Sequence, residues 1–271
     1  MEINHQMVIL MSNLDMKQVK DFYDNQAESY DKEYDVPYYR LYHEITWHNI
    51  KRFLPKRKNS LILDAGGGTG YWAIKLAKLG YQVILTDISE IMLKVSEEKI
   101  KKENVQDKIE TKIVDIREMD CFSSNSFDLV LAEGDPVSYC LNPKKAIIEL
   151  KRVVKPNAHV IISVDNKYSM ISSMMRRKWF DKIPSLIKTG IWNEPFTTQY
   201  FTPNELRTLV ETCGLKVVRL IGKPILTRIL SEQNIITNHY QKILEIELKY
   251  CDEPSLIGLG GHLEIVGVKQ E

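Results

Sequence analysis

The chain has 271 residues, of which 44% are hydrophobic and 27% are charged, and this length suits one large α/β domain with a buried core. Lys and Arg together number 37 and Asp and Glu 36, for a net charge of +1, which gives no sign of a nucleic-acid or membrane partner. The four cysteines lie far apart, without a Cys-x-x-Cys pair, so we expect reduced thiols in a cytoplasmic protein.

The N-terminal part of the chain predicts a flexible segment followed by two helices. Residues 1–16 are expected to be flexible, and their apolar run is too short to cross a membrane. An aromatic-rich helical pattern extends from Lys17 to about Asp35, and a second one from Tyr39 to Leu54. Residues 17–54 are therefore expected to form a helical cover over the rest of the domain.

From residue 60 onward, buried strands alternate with helices of moderate length. The predicted strands and helices are, in chain order, strand 60–65, helix 71–79, strand 82–88, helix 89–103, strand 109–116, strand 127–134, helix 143–154 and strand 158–166. This alternation predicts βαβ units with right-handed crossovers, and hence a doubly wound, mainly parallel sheet covered on both faces.

The last hundred residues depart from that alternation. Two insertions, 167–201 and 225–258, separate the remaining elements. Between them, residues 202–214 predict a helix with Thr202 as its cap and Glu205 three residues later, and a strand follows over 215–222. A final strand over 262–269 closes the domain.

The stretch "LILDAGGGTG", residues 61–70, carries four glycines between a strand and a helix. Glycines there permit a tight turn and allow a ligand to lie on backbone N–H groups at a helix N-terminus. A P-loop is excluded because Gly70 is followed by Tyr71 rather than by Lys and Ser or Thr. A dinucleotide fingerprint would also require glycine at position 71, which weakens an NAD(P) site without eliminating it.

The pattern that fits is acid-x-G-x-G-x-G, formed by Asp64, Gly66, Gly68 and Gly70, with Gly67 as an additional glycine. It resembles the glycine loop of the class I S-adenosylmethionine-dependent methyltransferases, in particular their small-molecule branch. The resemblance covers roughly residues 20–222 and the closing strand. It implies a Rossmann-like fold with a seven-stranded sheet, in which this loop receives the methionine part of S-adenosylmethionine.

Two acids after later strands extend the resemblance. Asp87 and Ile88 stand where the family binds the ribose, and Asp115 and Ile116 stand where it binds the adenine. The physical chemistry agrees, because one carboxylate can accept from both ribose hydroxyls, and because open α/β sheets bind ligands at the carboxyl ends of their strands.

The segment "AEGDPVSYC", 132–140, follows the fourth strand and is expected to face the transferred methyl group. Asp135 and Tyr139 are candidate catalytic residues, with Glu133 on the cofactor side, in a small-molecule pocket. An alternative is the Asn/Asp-Pro-Pro-Tyr motif of enzymes that methylate amino groups of nucleic acids, although here Val137 and Ser138 intervene. Asp135 also suits a simple helix cap.

Other candidate site residues lie outside the strands. Tyr30, in the N-terminal cover, is expected to contact the methionine carboxylate or the acceptor. His43 is a candidate general base, against the alternative of a solvated or capping histidine. His159 and His262 are expected at strand starts on the far side of the sheet, in structural roles. No metal site is expected, because close histidine pairs are absent from the sequence.

The insertions carry aromatic and basic residues. The stretch "SMISSMMRRKWF", 169–180, is expected to form a lid over the acceptor, with a membrane-surface helix or an RNA contact as alternatives. Trp192 and Tyr200 are expected to supply the opposite wall of the pocket.

These observations predict a methyltransferase domain over residues 17–271 that uses S-adenosylmethionine and releases S-adenosylhomocysteine. The predicted partner is a small-molecule acceptor, methylated by in-line displacement, and neither nucleic acid nor membrane is expected. The alternatives are an RNA or protein methyltransferase, a module that binds the cofactor without turnover, and an NAD(P)-linked enzyme.

Overall fold

The structure is a computed structural model that describes residues 5–227 and 233–271. The strands are, in chain order, β1 (Leu61–Ala65), β2 (Gln82–Asp87), β3 (Ile109–Ile113), β4 (Phe127–Ala132), β5 (Val154–Asp165), β6 (Ile191–Trp192), β7 (Thr198–Gln199), β8 (Lys216–Lys223) and β9 (His262–Val268). The helices are α1 (His5–Gln26), α2 (Tyr30–Glu33), α3 (Pro37–Phe53), α4 (Tyr71–Lys78), α5 (Glu90–Lys102), α6 (Pro136–Tyr139), α7 (Pro143–Val153), α8 (Lys167–Arg176), α9 (Ile183–Thr189), α10 (Pro203–Thr212), α11 (Gln233–Asn238) and α12 (Tyr240–Tyr250).

One seven-stranded sheet has the order β3-β2-β1-β4-β5-β9-β8, and this confirms the predicted fold class. Neighbouring strands from β3 to β5 are parallel, whereas β9 is antiparallel to both β5 and β8. Because β9 runs in the opposite direction, its first residue lies at the edge where the parallel strands end. His262 is therefore paired in register with Asp165.

The sheet is covered on both faces because its central strands are apolar on both sides. Adjacent residues of β1 point to opposite faces, so Ile62 belongs to one hydrophobic cluster and Leu63 to the other. The cluster on one face includes Leu76 of α4, and the cluster on the other includes Leu150 of α7 and Leu206 of α10. These two layers are the predicted doubly wound arrangement.

Side-chain caps begin α5 and α10, and the cap of α10 was predicted. Thr202 and Glu205 make a capping box at the start of α10, which confirms the predicted helix there. Ser89 caps α5 by accepting a hydrogen bond from the backbone N–H of Met92 at 3.0 Å.

Several elements differ from their predicted bounds. Helix α1 begins at His5 and so extends into the segment predicted to be flexible, of which residues 1–4 lie outside the described residues. The short helix α6 was not predicted, and the first insertion contains α8, α9 and the β6–β7 hairpin. Among the described residues, no helix is both long and apolar enough to cross a membrane.

Candidate functional site

A cavity of about 800 Å³ lies at the carboxyl ends of the parallel strands. Most of the predicted site residues line it: Tyr30, His43, Gly66, Gly67, Gly68, Asp87, Ile88, Asp115, Ile116, Glu133, Asp135 and Tyr139. Asp64 and Gly70 are not part of this lining. The cavity therefore brings the glycine loop, the two downstream acids and the segment after β4 to one place.

The glycine loop uses its backbone N–H groups differently from the expectation. Those of Gly66 and Gly67 donate to the carbonyl of Thr86 at 2.8 and 3.0 Å, so they tie the loop to β2 and are not free for a ligand. Gly68 donates to Asp87 Oδ2 at 2.9 Å. At Gly68, where φ is +54°, an added Cβ would meet no atom within 4 Å. Gly68 therefore leaves open space on the cavity side of the loop.

Asp64 is fully buried beneath the loop and does not line the cavity. Its Oδ2 accepts the backbone N–H of Ala73 at 3.0 Å, which fixes the first turn of α4 to the end of β1. A Cβ at Gly67 would lie 2.6 Å from this carboxylate, so the additional glycine makes room for Asp64 rather than for a ligand. Burial raises the pKa of Asp64 to about 7.

Asp87 joins the loop to the next helix. Its Oδ2 accepts from Gly68 and its Oδ1 accepts from the backbone N–H of Ser89 at 2.8 Å. Burial raises its pKa, against the lowering effect of these two donors. A carboxylate oxygen can accept more than one hydrogen bond, so Asp87 retains acceptor capacity on the cavity side.

Asp115 already has a charged partner. The guanidinium of Arg117 lies against it, with Nη2 to Oδ2 at 2.6 Å, and the Arg117 backbone N–H donates to Oδ1 at 2.8 Å. A ligand contact at Asp115 would therefore have to share the carboxylate with Arg117. Ile116, beside it, is buried.

His262 faces the cavity next to Asp135, so the expectation of a structural histidine on the far side was wrong. Its Nδ1 lies 2.7 Å from Asp135 Oδ2 and 3.9 Å from Asp165 Oδ1. Burial acts to lower the pKa of His262, but the two carboxylates outweigh it and raise the pKa. The physical reason for the error is the reversed direction of β9, which places its first residue at the carboxyl edge of the parallel strands.

Asp135 is held in a left-handed conformation, with φ of 66°. Its backbone N–H and that of Gly134 both donate to Ser163 Oγ at 3.0 Å. The Asp135 side chain makes no cap hydrogen bond to α6, so it is not the simple helix cap that the sequence allowed. Burial opposes ionisation of Asp135, but His262 outweighs it and lowers the pKa.

Next to Glu133 of the cavity lining lies a buried ionic cluster that the sequence did not indicate. Lys223 Nζ lies 2.6 Å from Glu133 Oε2 and also contacts Glu264, which accepts a hydrogen bond from Asn49. The side chains of the three charged residues are fully buried. Burial raises the pKa of Glu133, as does Glu264, against the effect of Lys223. The four residues come from four separate segments, and no local pattern marks them.

Aromatic rings from the cover helices and α6 also line the cavity. Tyr23 lies 6.1 Å from Tyr30 and 6.0 Å from Tyr139 between ring centroids. The Tyr34 hydroxyl donates to that of Tyr30 at 2.8 Å. Burial raises the pKa of all four tyrosines, so they remain neutral.

His43 lines the cavity but is a weak base. Its ring stacks on Tyr71 at 4.4 Å, and burial lowers its pKa to about 4. That value argues against the predicted role of His43 as a general base near neutral pH.

The insertion residues Trp192 and Tyr200 are not in the described cavity lining, contrary to the expectation. Instead, Trp192 stacks on Trp179 at 5.6 Å, with Arg177 and Lys182 next to the two rings. We call these four residues the tryptophan–basic patch. Phe196 of the same insertion packs against the ring of Tyr139, with 5.4 Å between the ring centroids, but does not itself line the cavity.

Comparisons with known proteins agree with this geometry. A methyltransferase domain family matches residues 62–157. The chain is 23% identical to the tRNA 5-carboxymethoxyuridine methyltransferase of Escherichia coli K12 over 252 residues, which is 92% of this chain and 96% of that protein. It is 32% identical to a demethylmenaquinone methyltransferase of Bacteroides fragilis over 152 residues, 54% of this chain and 59% of the relative.

Among solved structures, a methyltransferase from Methanosarcina mazei superposes with a TM-score of 0.59 at 20% identity, over 82% of this chain and 97% of that one. This likeness shows the fold, and the matching domain and relatives show the enzyme class. The chain belongs to the class I S-adenosylmethionine-dependent methyltransferase family.

Proposed function

We propose that the protein transfers a methyl group from S-adenosylmethionine to a small-molecule acceptor bound in the same cavity. The strongest support for this proposal is the set of residues that line the cavity. The glycine loop and Asp87 line one part of it, and the His262–Asp135 pair lines another. Donor and acceptor sites that share one cavity are what a direct transfer requires, since the reacting atoms must approach closely.

The residues present fit the cofactor. Gly68 and Gly134 both line the cavity, and an added Cβ at either would meet no atom within 4 Å. Open space at these backbone positions suits a ligand that lies directly on the main chain. Asp87 would hold the ribose hydroxyls, and Asp115 with Ile116 would adjoin the adenine. Tyr30 or Glu133 would contact the amino-acid part, where Glu133 Oε1 is buried and has no hydrogen-bond partner among the described residues.

S-adenosylmethionine would supply an electrophilic methyl group on a sulfonium, with the thioether as leaving group. The protein would then supply alignment, exclusion of water and a place for the acceptor's proton. Alignment of reactants can contribute about 7–11 kcal/mol. His262, oriented by Asp135, is the candidate to take that proton in place of His43. Because the pKa of His262 is raised, only the fraction of the protein in which its ring is neutral can do so.

The cover helices would exclude water from the reaction. Thr69 of the glycine loop donates to Asp31 at 2.7 Å, and Lys99 of α5 pairs with Asp31 at 2.6 Å. These contacts fasten α2 over the loop. The aromatic packing of Tyr23 against Tyr139 closes the cover over α6.

The test combines binding and transfer. Calorimetry should detect saturable binding of S-adenosylhomocysteine and none of NADPH. With methyl-labelled S-adenosylmethionine and a cell extract, label should enter the small-molecule fraction in the presence of the protein. Absence of S-adenosylhomocysteine binding would refute the cofactor assignment, and binding without transfer to any fraction would indicate a module without turnover.

A second candidate is methylation of RNA. It is favoured by the tRNA-modifying relative, which aligns over almost its whole length. The tryptophan–basic patch adds stacking rings and cations of the kind that bind nucleotides. Label appearing in the tRNA fraction, and its reduction in an Arg177→Ala, Lys182→Ala variant, would establish this candidate over the small-molecule one. Label in protein would instead indicate a protein methyltransferase.

A further inference from the structure

The cavity wall built from the ends of β4, β5 and β9 is acidic. Asp135, Asp165 and Glu133 line it, and His262 is its one basic side chain within the described lining. Glu133, whose pKa burial and Glu264 raise, is paired with Lys223 behind the wall, so the negative charge of the wall comes from Asp135 and Asp165. This part of the site therefore repels an anionic acceptor and attracts a cationic one.

The lysines and arginines of the cavity lie elsewhere, on α2, α3 and α5. Arg40 pairs with Asp35 at 2.6 Å, and Lys99 pairs with Asp31 at 2.6 Å. Both pairs join these cations to acids of the cover, and the remaining cation, Lys32, is exposed. These cations therefore do not offset the negative charge next to His262.

A buried carboxylate oxygen in this wall lacks a donor. Asp135 is 3% exposed, and its Oδ1 has no hydrogen-bond partner among the described residues. An ionised carboxylate only accepts hydrogen bonds, and an unpaired buried acceptor is costly. The wall is therefore built for a ligand that brings N–H or O–H donors.

Neutral aromatic rings complete the surroundings of the wall. Tyr23 and Tyr139 line the same cavity as Asp135 and Asp165, and the charges of these two carboxylates raise the tyrosine pKa values further than burial does alone. Aromatic faces attract an ammonium group within about 6 Å of the ring centroid. Aromatic rings and carboxylates that line one cavity are suitable surroundings for an alkylammonium ion.

We infer that the acceptor is a primary or secondary amine that enters as an ammonium ion and is held between Asp165, Asp135 and the rings of Tyr23 and Tyr139. This inference rests on the proposed methyl transfer and names its substrate class. In the form of the site in which the His262 ring is neutral, the ammonium gives one proton to that ring, and the freed nitrogen lone pair forms the N–CH₃ bond. As the methyl–sulfur bond breaks, its electron pair stays on sulfur, and the methylated product is again an ammonium ion.

A metal ion is the competing occupant of this wall. One atom each of Asp135, Asp165 and His262 lie within 4.8 Å of one another. However, the Asp135 and His262 atoms already contact each other directly at 2.7 Å, so each satisfies the other. We therefore favour the ammonium ion, and the metal becomes an outcome of the test.

The experiment compares probes of similar size that carry a cationic, a neutral or an anionic terminal group on the same phenyl ring. 2-Phenylethylamine, 2-phenylethanol and phenylacetate, and the benzyl series of the same three groups, are titrated into the protein with S-adenosylhomocysteine present. We expect the amines to bind at least about tenfold more tightly than the alcohols and the carboxylates to bind most weakly. Equal binding within a series, tighter binding of a carboxylate, or no binding of any amine would overturn the inference.

Substitutions test whether the acidic wall causes the preference for amines. Asp165→Asn should weaken amine binding roughly tenfold and leave alcohol binding nearly unchanged. Glu118→Gln is the matched control, since it removes one negative charge at an exposed residue outside the cavity lining, and it should change neither. An unchanged amine preference in Asp165→Asn would overturn the inference, as would Zn²⁺ or Mn²⁺ binding that displaces the amine.

Binding of S-adenosylhomocysteine distinguishes a wrong substrate class from a wrong methyltransferase assignment. If it binds normally and the amine preference is absent, the substrate class is wrong while the methyltransferase assignment stands. If it does not bind at all, the proposed function itself fails.

Discussion

Replacing Asp87 by Ala should weaken S-adenosylhomocysteine binding more than almost any other single change in the site. Asp87 accepts from Gly68 and Ser89 at 2.9 and 2.8 Å, and we propose that it also accepts from the two ribose hydroxyls. A hydrogen bond to a charged group contributes about 1.5–3 kcal/mol. Loss of two ribose bonds therefore costs about 3 kcal/mol or more, which is on the order of 100-fold in the dissociation constant.

Isothermal calorimetry measures this effect, with two variants as controls. Asp87→Asn keeps one acceptor oxygen and the shape of the side chain, so its loss should be intermediate, roughly tenfold. Asp107→Ala removes an exposed acid from the loop before β3 and should leave the affinity unchanged. Thermal unfolding must accompany the titration, because Asp87 also fixes the loop. An Asp87→Ala protein that is folded and binds within threefold of the wild type would refute the reasoning.

Three further outcomes are expected. Lys223→Met should lower the free energy of unfolding by about 3–5 kcal/mol, because two fully buried carboxylates lose their cation. The exposed Lys216→Met on the same strand should change the urea-unfolding free energy by less than about 0.5 kcal/mol, and similar losses in both variants would contradict the buried cluster. Gly67→Ala should destabilise the protein by about 1–3 kcal/mol, since its Cβ would lie 2.5 Å from a leucine methyl of β2; an unchanged melting temperature would show that the loop relaxes. The raised pKa of His262 means that its ion pair stabilises the fold fully below about pH 6.5 and that this contribution is lost as pH rises through the folded pKa. As pH rises through the folded pKa of His262, the difference in unfolding free energy between the wild type and His262→Gln should shrink. NMR titration should also find a lower His262 pKa in Asp135→Asn than in the wild type. An unchanged His262 pKa in that variant would exclude the ion pair with Asp135.

Local sequence patterns were sufficient for the strands and helices of the βαβ part and for the half of the cavity that the glycine loop lines. Strand and helix periods report which faces are buried, so the βαβ alternation predicted the parallel sheet that the structure has. Caps act over three or four residues, and the Thr202–Glu205 box was predicted for that reason. Asp87 and Asp115 stand at the ends of consecutive parallel strands, so their approach to the glycine loop follows from chain order alone.

The roles within the loop needed the tertiary structure. The sequence shows that Gly67 lacks a side chain but not what would occupy the space. In the structure that space belongs to Asp64 and Leu85, and the loop N–H groups expected to be free bind the carbonyl of Thr86 instead. Packing across the sheet decided both points, and neither is encoded in spacing along the chain.

The acidic wall and the buried cluster depended on the sheet order. His262 follows Asp135 by 127 positions in the sequence, and only the antiparallel insertion of β9 next to β5 brings the two together. Lys223 contacts Glu133 and Glu264 because β9 lies between β5 and β8 in the sheet. The sequence by itself determined the fold class, the family and the position of the glycine loop, because these depend on short-range periodicity and motif order. Only the tertiary structure decided which histidine lies against Asp135 in the cavity and which charges are buried, because those depend on the direction and neighbours of the last strands.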